Sequence, residues 1–196
     1  MSTITLRAFA GPTDYPIITE LVNAGFKAAE FPVVESLAET QNTFDHLENC
    51  DPDKDVALAE DAAGNPIGYA RLAWVDDLEG LRRYHLSLNV GLEGEGLGAS
   101  SALLNWAIAR VQGLIALNQT DLQTVMQTWI INDKTQTERM SLLTKAGFAP
   151  VRYGYTMTRD LSQPIEIPDL PDGVYVRPCT PADDRPIFDA LHEAFR

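Results

Sequence analysis

The sequence has few of the residues that build disulfide frameworks, metal sites or nucleic-acid surfaces. Its 196 residues include two cysteines and three histidines. Cys50 and Cys179 lie far apart, with no second thiol and no zinc-ligand spacing near either, so we expect free thiols and no metal site. Lysine and arginine total 15 against 28 acidic residues, a formal charge of -13. This charge argues against a nucleic-acid partner and favours a cationic amine as substrate.

Long hydrophobic runs are also missing. No apolar run approaches the roughly 18 residues that a membrane span requires, and the N-terminus lacks the charged-then-apolar layout of a signal peptide. We therefore expect a soluble, cytoplasmic protein with no membrane partner. A hydrophobic fraction of 45% over this length is sufficient for the core of one domain of ordinary size, with an appendage.

The most informative segment is a strand-like run that leads through three alternating glycines into an amphipathic helix. Gly94, Gly96 and Gly98 allow tight turns and a close approach of the main chain to a ligand. A helix that begins within the glycine run presents unpaired N–H groups and the positive end of its dipole. The junction therefore predicts an anion site suited to a pyrophosphate.

Hydrophobic periodicity gives a coarse order of elements along the chain. Residues 30–49 have little pattern, so we interpret them as a loop and a short helix that set acceptor specificity. The sequence predicts an α/β (α+β) domain with a mixed, mostly antiparallel sheet of about six or seven strands flanked by helices. Strands are expected at 4–9, 56–60, 67–75, 84–90, 124–130 and as a pair within 150–161, and helices after residue 13 or 14, from 96 to 112 or 113, and over 134–148.

Other ligand-binding loops fit the glycine run less well. Gly94 to Ala99 also satisfies the G-x-G-x-x-A pattern of dinucleotide-binding loops. That interpretation requires a βαβ unit that starts with the motif, whereas this loop follows hairpin-like strands in mid-chain. No Lys-Ser/Thr pair follows the glycines, which excludes a Walker loop, and the chain has no Gly-x-Ser-x-Gly nucleophile elbow.

Residues 88–98 resemble the pyrophosphate loop of the GNAT acyltransferases. Leu88 and Val90 occupy the apolar and proline places of that motif, Glu93 the arginine or glutamine place, and Gly96 and Gly98 the glycines. The resemblance implies acetyl-CoA as co-substrate and acetyl transfer to a small-molecule or peptide amine, with main-chain donors at 88–90 polarising the thioester. The coenzyme-binding residues that it implies are Leu88, Asn89, Val90, Glu93, Gly94, Glu95, Gly96, Leu97, Gly98, Ala99 and Gln136.

The sequence departs from the family pattern at two chemically important places. Glu93 stands where a donor is expected, and it can instead stabilise the helix dipole together with Glu95. In the predicted helix 134–148, Gln136 and Leu143 occupy the places of the family's asparagine and tyrosine, and leucine cannot protonate a leaving thiolate. Besides an N-acetyltransferase, the sequence therefore fits a non-catalytic module that stabilises or regulates a catalytic partner domain.

His85 is the candidate catalytic residue. Strand alternation places it on one face of the predicted strand 84–90 with Ser87, opposite the apolar residues. An imidazole near the thioester can act as general base for an ammonium acceptor, because its pKa lies near neutrality. The alternative is a hydrogen-bonded structural histidine.

Two segments of the chain are similar to each other. LRAFAGPTDYPIITELVNA and VRPCTPADDRPIFDALHEA share residues at a constant offset, among them Arg7/Arg177 and Asp14/Asp184. We predict a GNAT-like domain over residues 1–163, a proline-containing linker over 164–173, and the truncated start of a second GNAT-like domain over 174–196. Tandem members of the family, such as mycothiol synthase, resemble this layout. The strand-helix segment 174–195 is expected to bury its apolar face on the first domain or on a partner chain, as a homodimer or with a catalytic partner domain.

Overall fold

Alternating apolar residues build one sheet of five strands. The computed structural model describes residues 4–194. The first four strands are antiparallel neighbours, and the fifth runs parallel to the fourth. This arrangement confirms the mixed, mostly antiparallel sheet. In spatial order the strands are β1 (Thr5–Ala8), β2 (Val56–Glu60), β3 (Pro66–Asp76), β4 (Leu81–Val90) and β5 (Gln123–Thr128).

The strand count of six or seven is wrong, because the strand pair expected within residues 150–161 does not form. The chain divides into two compact units, Met1–Ala149 and Pro150–Arg196, and this segment opens the second. Its alternating apolar residues are exposed: Val151, Tyr153, Tyr155 and Met157. A strand requires a neighbour for its backbone groups and a surface for its apolar face. Alternation alone therefore does not make a strand here.

Helices cover both faces of the sheet in the first unit. The longest helix ends at Leu117 rather than at 112 or 113, with Gly113 in its interior. One interior glycine costs about 1 kcal/mol, less than the burial of the flanking Val111 and Leu114 contributes. The helices of this unit are α1 (Tyr15–Ala28), α2 (Leu37–Asp45), α3 (Pro52–Asp55), α4 (Leu92–Leu97), α5 (Ala99–Leu117) and α6 (Thr137–Lys145).

Two hydrophobic clusters fill the space between sheet and helices. One lies on the α5 side and takes the apolar face of β4, including Tyr84, Leu86 and Val90. The other lies on the α1 side, where Ile18 and Val22 pack with β2 and β3. The polar face of β4 is thus directed toward α1.

The segment that leads from β4 into α5, residues 91–98, is called the glycine junction. It contains a short helix and a sharp turn rather than the start of a single helix. Gly98 separates α4 from α5 in a left-handed conformation, with φ of 90°. Gly94 is required for a different reason, because a Cβ there would lie 2.2 Å from the Ile67 carbonyl oxygen. Gly96 has neither constraint: its Cβ position is open.

The second unit repeats the local design of the first helix start. It contains a 3-10 turn, Pro181–Asp183, and helix α7 (Asp184–Ala194). Arg177 donates to both carboxylate oxygens of Asp183, as Arg7 does to Asp14. At this contact Asp183, rather than the expected Asp184, takes the place of Asp14, because the loop between the arginine and the three-residue 3-10 turn is one residue shorter in the second unit.

Residues 175–178 form no strand, unlike β1, and Phe195 lies outside the described residues. The apolar residues of α7 are partly to fully exposed, with Phe188 at 59% and Leu191 at 54%.

Both cysteines are free, which confirms that prediction. Cys179 is exposed, whereas burial raises the pKa of the Cys50 thiol to about 11. None of the helices in residues 4–194 is long and apolar enough to cross a membrane.

Candidate active site

A gap opens in the sheet because β4 is longer than β5. The parallel pairing runs from Leu81 opposite Gln123 to Leu86 opposite Thr128. Beyond that point residues 87–90 of β4 pair with β3 alone. The main chain of β4 is therefore accessible to side chains from the β5 side, immediately before the glycine junction.

The guanidinium of Arg139, on α6, lies at this gap. It donates to the Leu88 carbonyl at 3.2 Å and to the Val90 carbonyl at 3.4 Å. Its Nε also donates to Glu95 Oε1 at 3.0 Å, which forms an ion pair with α4. Arg139 is 5% exposed. Its position links the end of β4, the glycine junction and α6 through one buried charge.

Two helices begin at the glycine junction without a side-chain cap. Gly91 precedes α4 and Gly98 precedes α5, and neither helix start has a side-chain hydrogen bond. The Ser101 N–H already donates to the Gly98 carbonyl at 3.1 Å. The N–H groups of Ala99 and Ser100 have no side-chain cap, although both residues are buried, and the dipole of the 19-residue helix favours negative charge there. Glu95 is engaged by Arg139, while Glu93 is exposed.

A cavity of about 320 Å³ lies on the α1 side of the sheet beside the gap. Its volume falls in the range of small-molecule sites. The sheet contributes a polar floor, and α1 and the segment before α2 contribute the walls. Residues that line the cavity include Ile18, Val22, Phe26, Glu35, Thr40, Phe44, Tyr69, Arg71, His85, Ser87, Leu88, Asn89 and Arg139.

His85 faces this cavity from β4. Burial first, and then the positive charge of Arg83, lower the pKa of His85 below its ordinary value. The imidazole is therefore neutral at pH 7 and can accept a proton. Strand alternation directs Ser87 and Asn89 to the same side.

The segment between α1 and α2 brings an acidic side chain to the cavity. The Asn23 side chain donates to the Glu35 carbonyl and accepts from its N–H, which fixes the backbone of that residue. Thr40 Oγ1 then donates to Glu35 Oε1 at 2.8 Å. A capping box between Ser36 and Glu39 starts α2 at the required position. Residues 30–49, to which the sequence assigned acceptor specificity, thus supply Glu35, Thr40, Thr43 and Phe44 to the cavity.

The structure brings four of the predicted site residues to the cavity or the gap, whereas Leu97 and Ala99 pack with the core on the α5 side and Gln136 has a different environment. His85, Leu88 and Asn89 line the cavity, and Val90 lies at the gap. The side-chain carbonyl of Gln136 accepts from the N–H groups of Ile131 and Asn132 at 2.9 and 3.1 Å. Gln136 thus holds the chain before α6. Leu143 is buried in the core on the α5 side.

Sequence reasoning did not find Arg71 and Arg139. For Arg139 a signal exists, because Gln136, Arg139 and Leu143 share the buried face of α6, and an arginine on such a face requires a specific partner. Arg71 lies in β3, where apolar residues stand on both faces of the strand. The sequence therefore gives no polar face that would mark Arg71 as a functional residue.

Comparison with known proteins identifies the fold. No protein-family model matches the sequence, and no curated protein matches it. Among solved structures, a GCN5-related N-acetyltransferase from Sphaerobacter thermophilus matches 97% of this chain at 24% identity and a TM-score of 0.72. This chain covers 58% of that protein's length.

Two further solved structures each match about three quarters of this chain. A GNAT superfamily phosphinothricin acetyltransferase from Sinorhizobium meliloti, solved in complex with AcCoA, matches 74% of each chain at 22% identity and a TM-score of 0.52. Arabidopsis thaliana Naa50, solved with the bisubstrate analogue CoA-Ac-MVNAL, matches 76% of this chain and 85% of its own at 14% identity and a TM-score of 0.51. Together with the sheet order, these similarities show that the chain has the GNAT acetyltransferase fold.

Proposed function

We propose that the first unit is an acetyl-CoA-dependent N-acetyltransferase domain that transfers an acetyl group to an amine. The observation that carries this proposal is the gap beyond Leu86 and Thr128, which lies between an uncapped helix start and a cavity. The helix start suits the pyrophosphate, the gap suits the thioester arm, and the cavity suits the acceptor. Solved structures of the same fold with AcCoA and with a CoA bisubstrate analogue support this assignment. An acetyl-CoA-dependent reaction also fits the cytoplasmic location that we expect.

The proposed reaction is direct attack of the amine on the thioester. Neutral His85 takes the proton that the ammonium group loses. After this deprotonation the amine nitrogen forms a bond to the carbonyl carbon. The carbon–sulfur bond then breaks, the nitrogen releases one further proton to water, and coenzyme A leaves as its thiolate. Main-chain donors at residues 88–90, with Arg139 at the same gap, polarise the carbonyl oxygen. Because Leu143 holds no proton to donate, the thiolate is protonated by water.

Calorimetry with acetyl-CoA, followed by thiol release in the presence of amines, tests this function. Binding at micromolar concentration with release of coenzyme A and formation of an N-acetylated product supports an enzyme. Binding without transfer, or no binding, contradicts it.

The second candidate function is a non-catalytic module, and the position of Arg139 favours it. The guanidinium occupies main-chain acceptors at the gap and is held there by Glu95. If this side chain closes the gap permanently, Arg139→Ala gains acetyl-CoA affinity that the native chain lacks. If the native chain already binds acetyl-CoA, the same change lowers affinity, because Glu95 is then unpaired beside the pyrophosphate. Arg110→Ala, which breaks the ion pair with Asp55 elsewhere in the unit, is the control.

We also propose that residues 174–196 correspond to the start of a second GNAT-like domain, with 1–163 as the first domain and 164–173 as linker. The paired contacts Arg7–Asp14 and Arg177–Asp183 support this proposal, since each joins an arginine to the last residue of a 3-10 turn, Pro12–Asp14 or Pro181–Asp183, that immediately precedes a helix. The exposed apolar residues of α7 would then be covered by a partner domain or a second copy. Gel filtration and limited proteolysis test it: a monomer cleaved at Phe188 and Leu191 contradicts this coverage.

A further inference from the structure

We propose that the cavity accepts amines that also carry an anionic group, and that Arg71 binds this group. The proposal rests on the acetyltransferase function above and names the chemical class of the acceptor. The net charge of the chain favours a cationic amine as substrate. The cavity favours a different class, because a positive side chain, Arg71, lines it together with the negative Glu35.

Arg71 forms no ion pair with a carboxylate in the part of the chain that the structure describes. Its Nε is buried and makes no hydrogen bond. A buried charged donor without an acceptor is unfavourable, so an anion at this position would satisfy it. The five other arginines of the first unit all form ion pairs with carboxylates, namely Arg7, Arg82, Arg83, Arg110 and Arg139.

Arg71 lies one strand away from the proposed point of attack. It is opposite Ser87 in the register between β3 and β4, and both residues line the cavity. Adjacent strands place such Cα atoms about 5 Å apart. An acceptor with its amine near β4 and its anion at Arg71 therefore carries the two groups within a few bonds of each other.

The acidic groups around Arg71 are already engaged. Glu35 accepts from Thr40, and Asp55 is paired with Arg110 at 2.6 Å. Glu35 lines the same cavity and is placed to attract an ammonium group, whereas Arg71 attracts an anion. Opposite charges in one cavity favour a zwitterionic acceptor over a simple cation.

The remaining walls are apolar, with Ile18, Val22, Phe26 and Phe44 facing the cavity. An acceptor with an apolar body therefore fits, which makes L-phenylalanine a suitable probe and L-phenylalaninamide its neutral counterpart. O-phosphoethanolamine and ethanolamine form a second pair, in which the anion is a phosphate. The two pairs distinguish a carboxylate site from a phosphate site.

The experiment measures thiol release from acetyl-CoA by the full chain with each of the four amines. In the native chain we expect kcat/KM to be at least about tenfold higher for the anionic amine than for its neutral counterpart in at least one pair. In Arg71→Met we expect the ratio of these two kcat/KM values to be near 1. Arg71→Lys, which keeps the charge, retains part of the preference, and Arg185→Met, which removes an exposed charge elsewhere, retains all of it. A native chain that uses the neutral members equally well, with no change in Arg71→Met, overturns the proposal.

A second measurement separates this proposal from the acetyltransferase function. Thermal unfolding of the native chain and of Arg71→Met is recorded with L-phenylalanine and with O-phosphoethanolamine, without acetyl-CoA. A rise in Tm in the native chain alone supports the anion site even if no amine is acetylated. The absence of any rise with both probes, together with absent preference in the rate assay, overturns it. Acetylation of the neutral amines alone leaves the enzyme assignment intact and rejects the anion site.

Discussion

Arg139 on α6 and Glu95 on α4 form an ion pair across the gap at the end of β4, with Nε 3.0 Å from Oε1. The pair joins elements that are 44 residues apart in sequence. Arg139 also holds two carbonyls of β4. The same contact therefore affects both stability and the access of a ligand to the gap.

Glu95→Ala is expected to lower the free energy of unfolding by about 2 kcal/mol, because it leaves the buried guanidinium of Arg139 without its carboxylate. Glu93→Ala, two residues earlier and exposed, is expected to change it by less than about 0.5 kcal/mol. Urea unfolding followed by tryptophan fluorescence measures both. Equal losses in the two variants would show that the ion pair contributes nothing specific.

The three glycines of the junction are expected to respond differently to alanine. Gly94→Ala is strongly destabilising, because its Cβ would lie 2.2 Å from a backbone oxygen. Gly98→Ala costs about 1 kcal/mol or more, since φ is 90°. Gly96→Ala has open space and a helical backbone, so it is neutral or stabilising by up to about 1 kcal/mol. Thermal unfolding gives the order, and a Gly96→Ala loss as large as that of Gly94→Ala would contradict this account.

His85→Gln is expected to lower kcat by about 100-fold if the imidazole is the general base. Because burial and Arg83 lower the pKa of His85, the base is neutral at pH 7 and gains a proton only in more acidic solution. The acid limb of the kcat/KM profile is therefore expected below about pH 6.5, and it disappears in the variant. An acid limb that persists in His85→Gln assigns the titration to another group.

The two cysteines are expected to react at different rates with a thiol reagent. With a pKa of about 11, roughly one Cys50 thiol in a thousand is ionised at pH 8, and only the thiolate is nucleophilic. Cys179 is exposed and should react at least about tenfold faster. Cys179→Ser, which leaves a single slow thiol, is the control. Fast modification of that variant would mean that Cys50 is accessible in solution.

Much of the first unit follows from local sequence pattern. The hairpin of β2 and β3 and the polar face of β4 depend on alternation and turn residues, and each lies within a short window. For these features the sequence prediction agrees with the structure, apart from boundaries such as the end of α5 at Leu117.

The rest depends on contacts between distant segments. Arg139 reaches carbonyls about 50 residues away in sequence, and Arg71 is distinctive only because the other arginines of its unit have partners. Residues 150–161 alternate like a strand, yet no described neighbour receives their backbone groups. Pairwise partners of this kind are not encoded in any local window.

The contact between Gly94 and Ile67 joins the glycine junction to the start of β3, the strand that carries Arg71. No side chain separates α4 from this strand at Gly94, so the two elements are in direct backbone contact there. A displacement of the helix start by an incoming phosphate would therefore be transmitted to the floor of the cavity. Binding of the coenzyme at the glycine junction would in this way change the position of the cavity floor through backbone contacts alone.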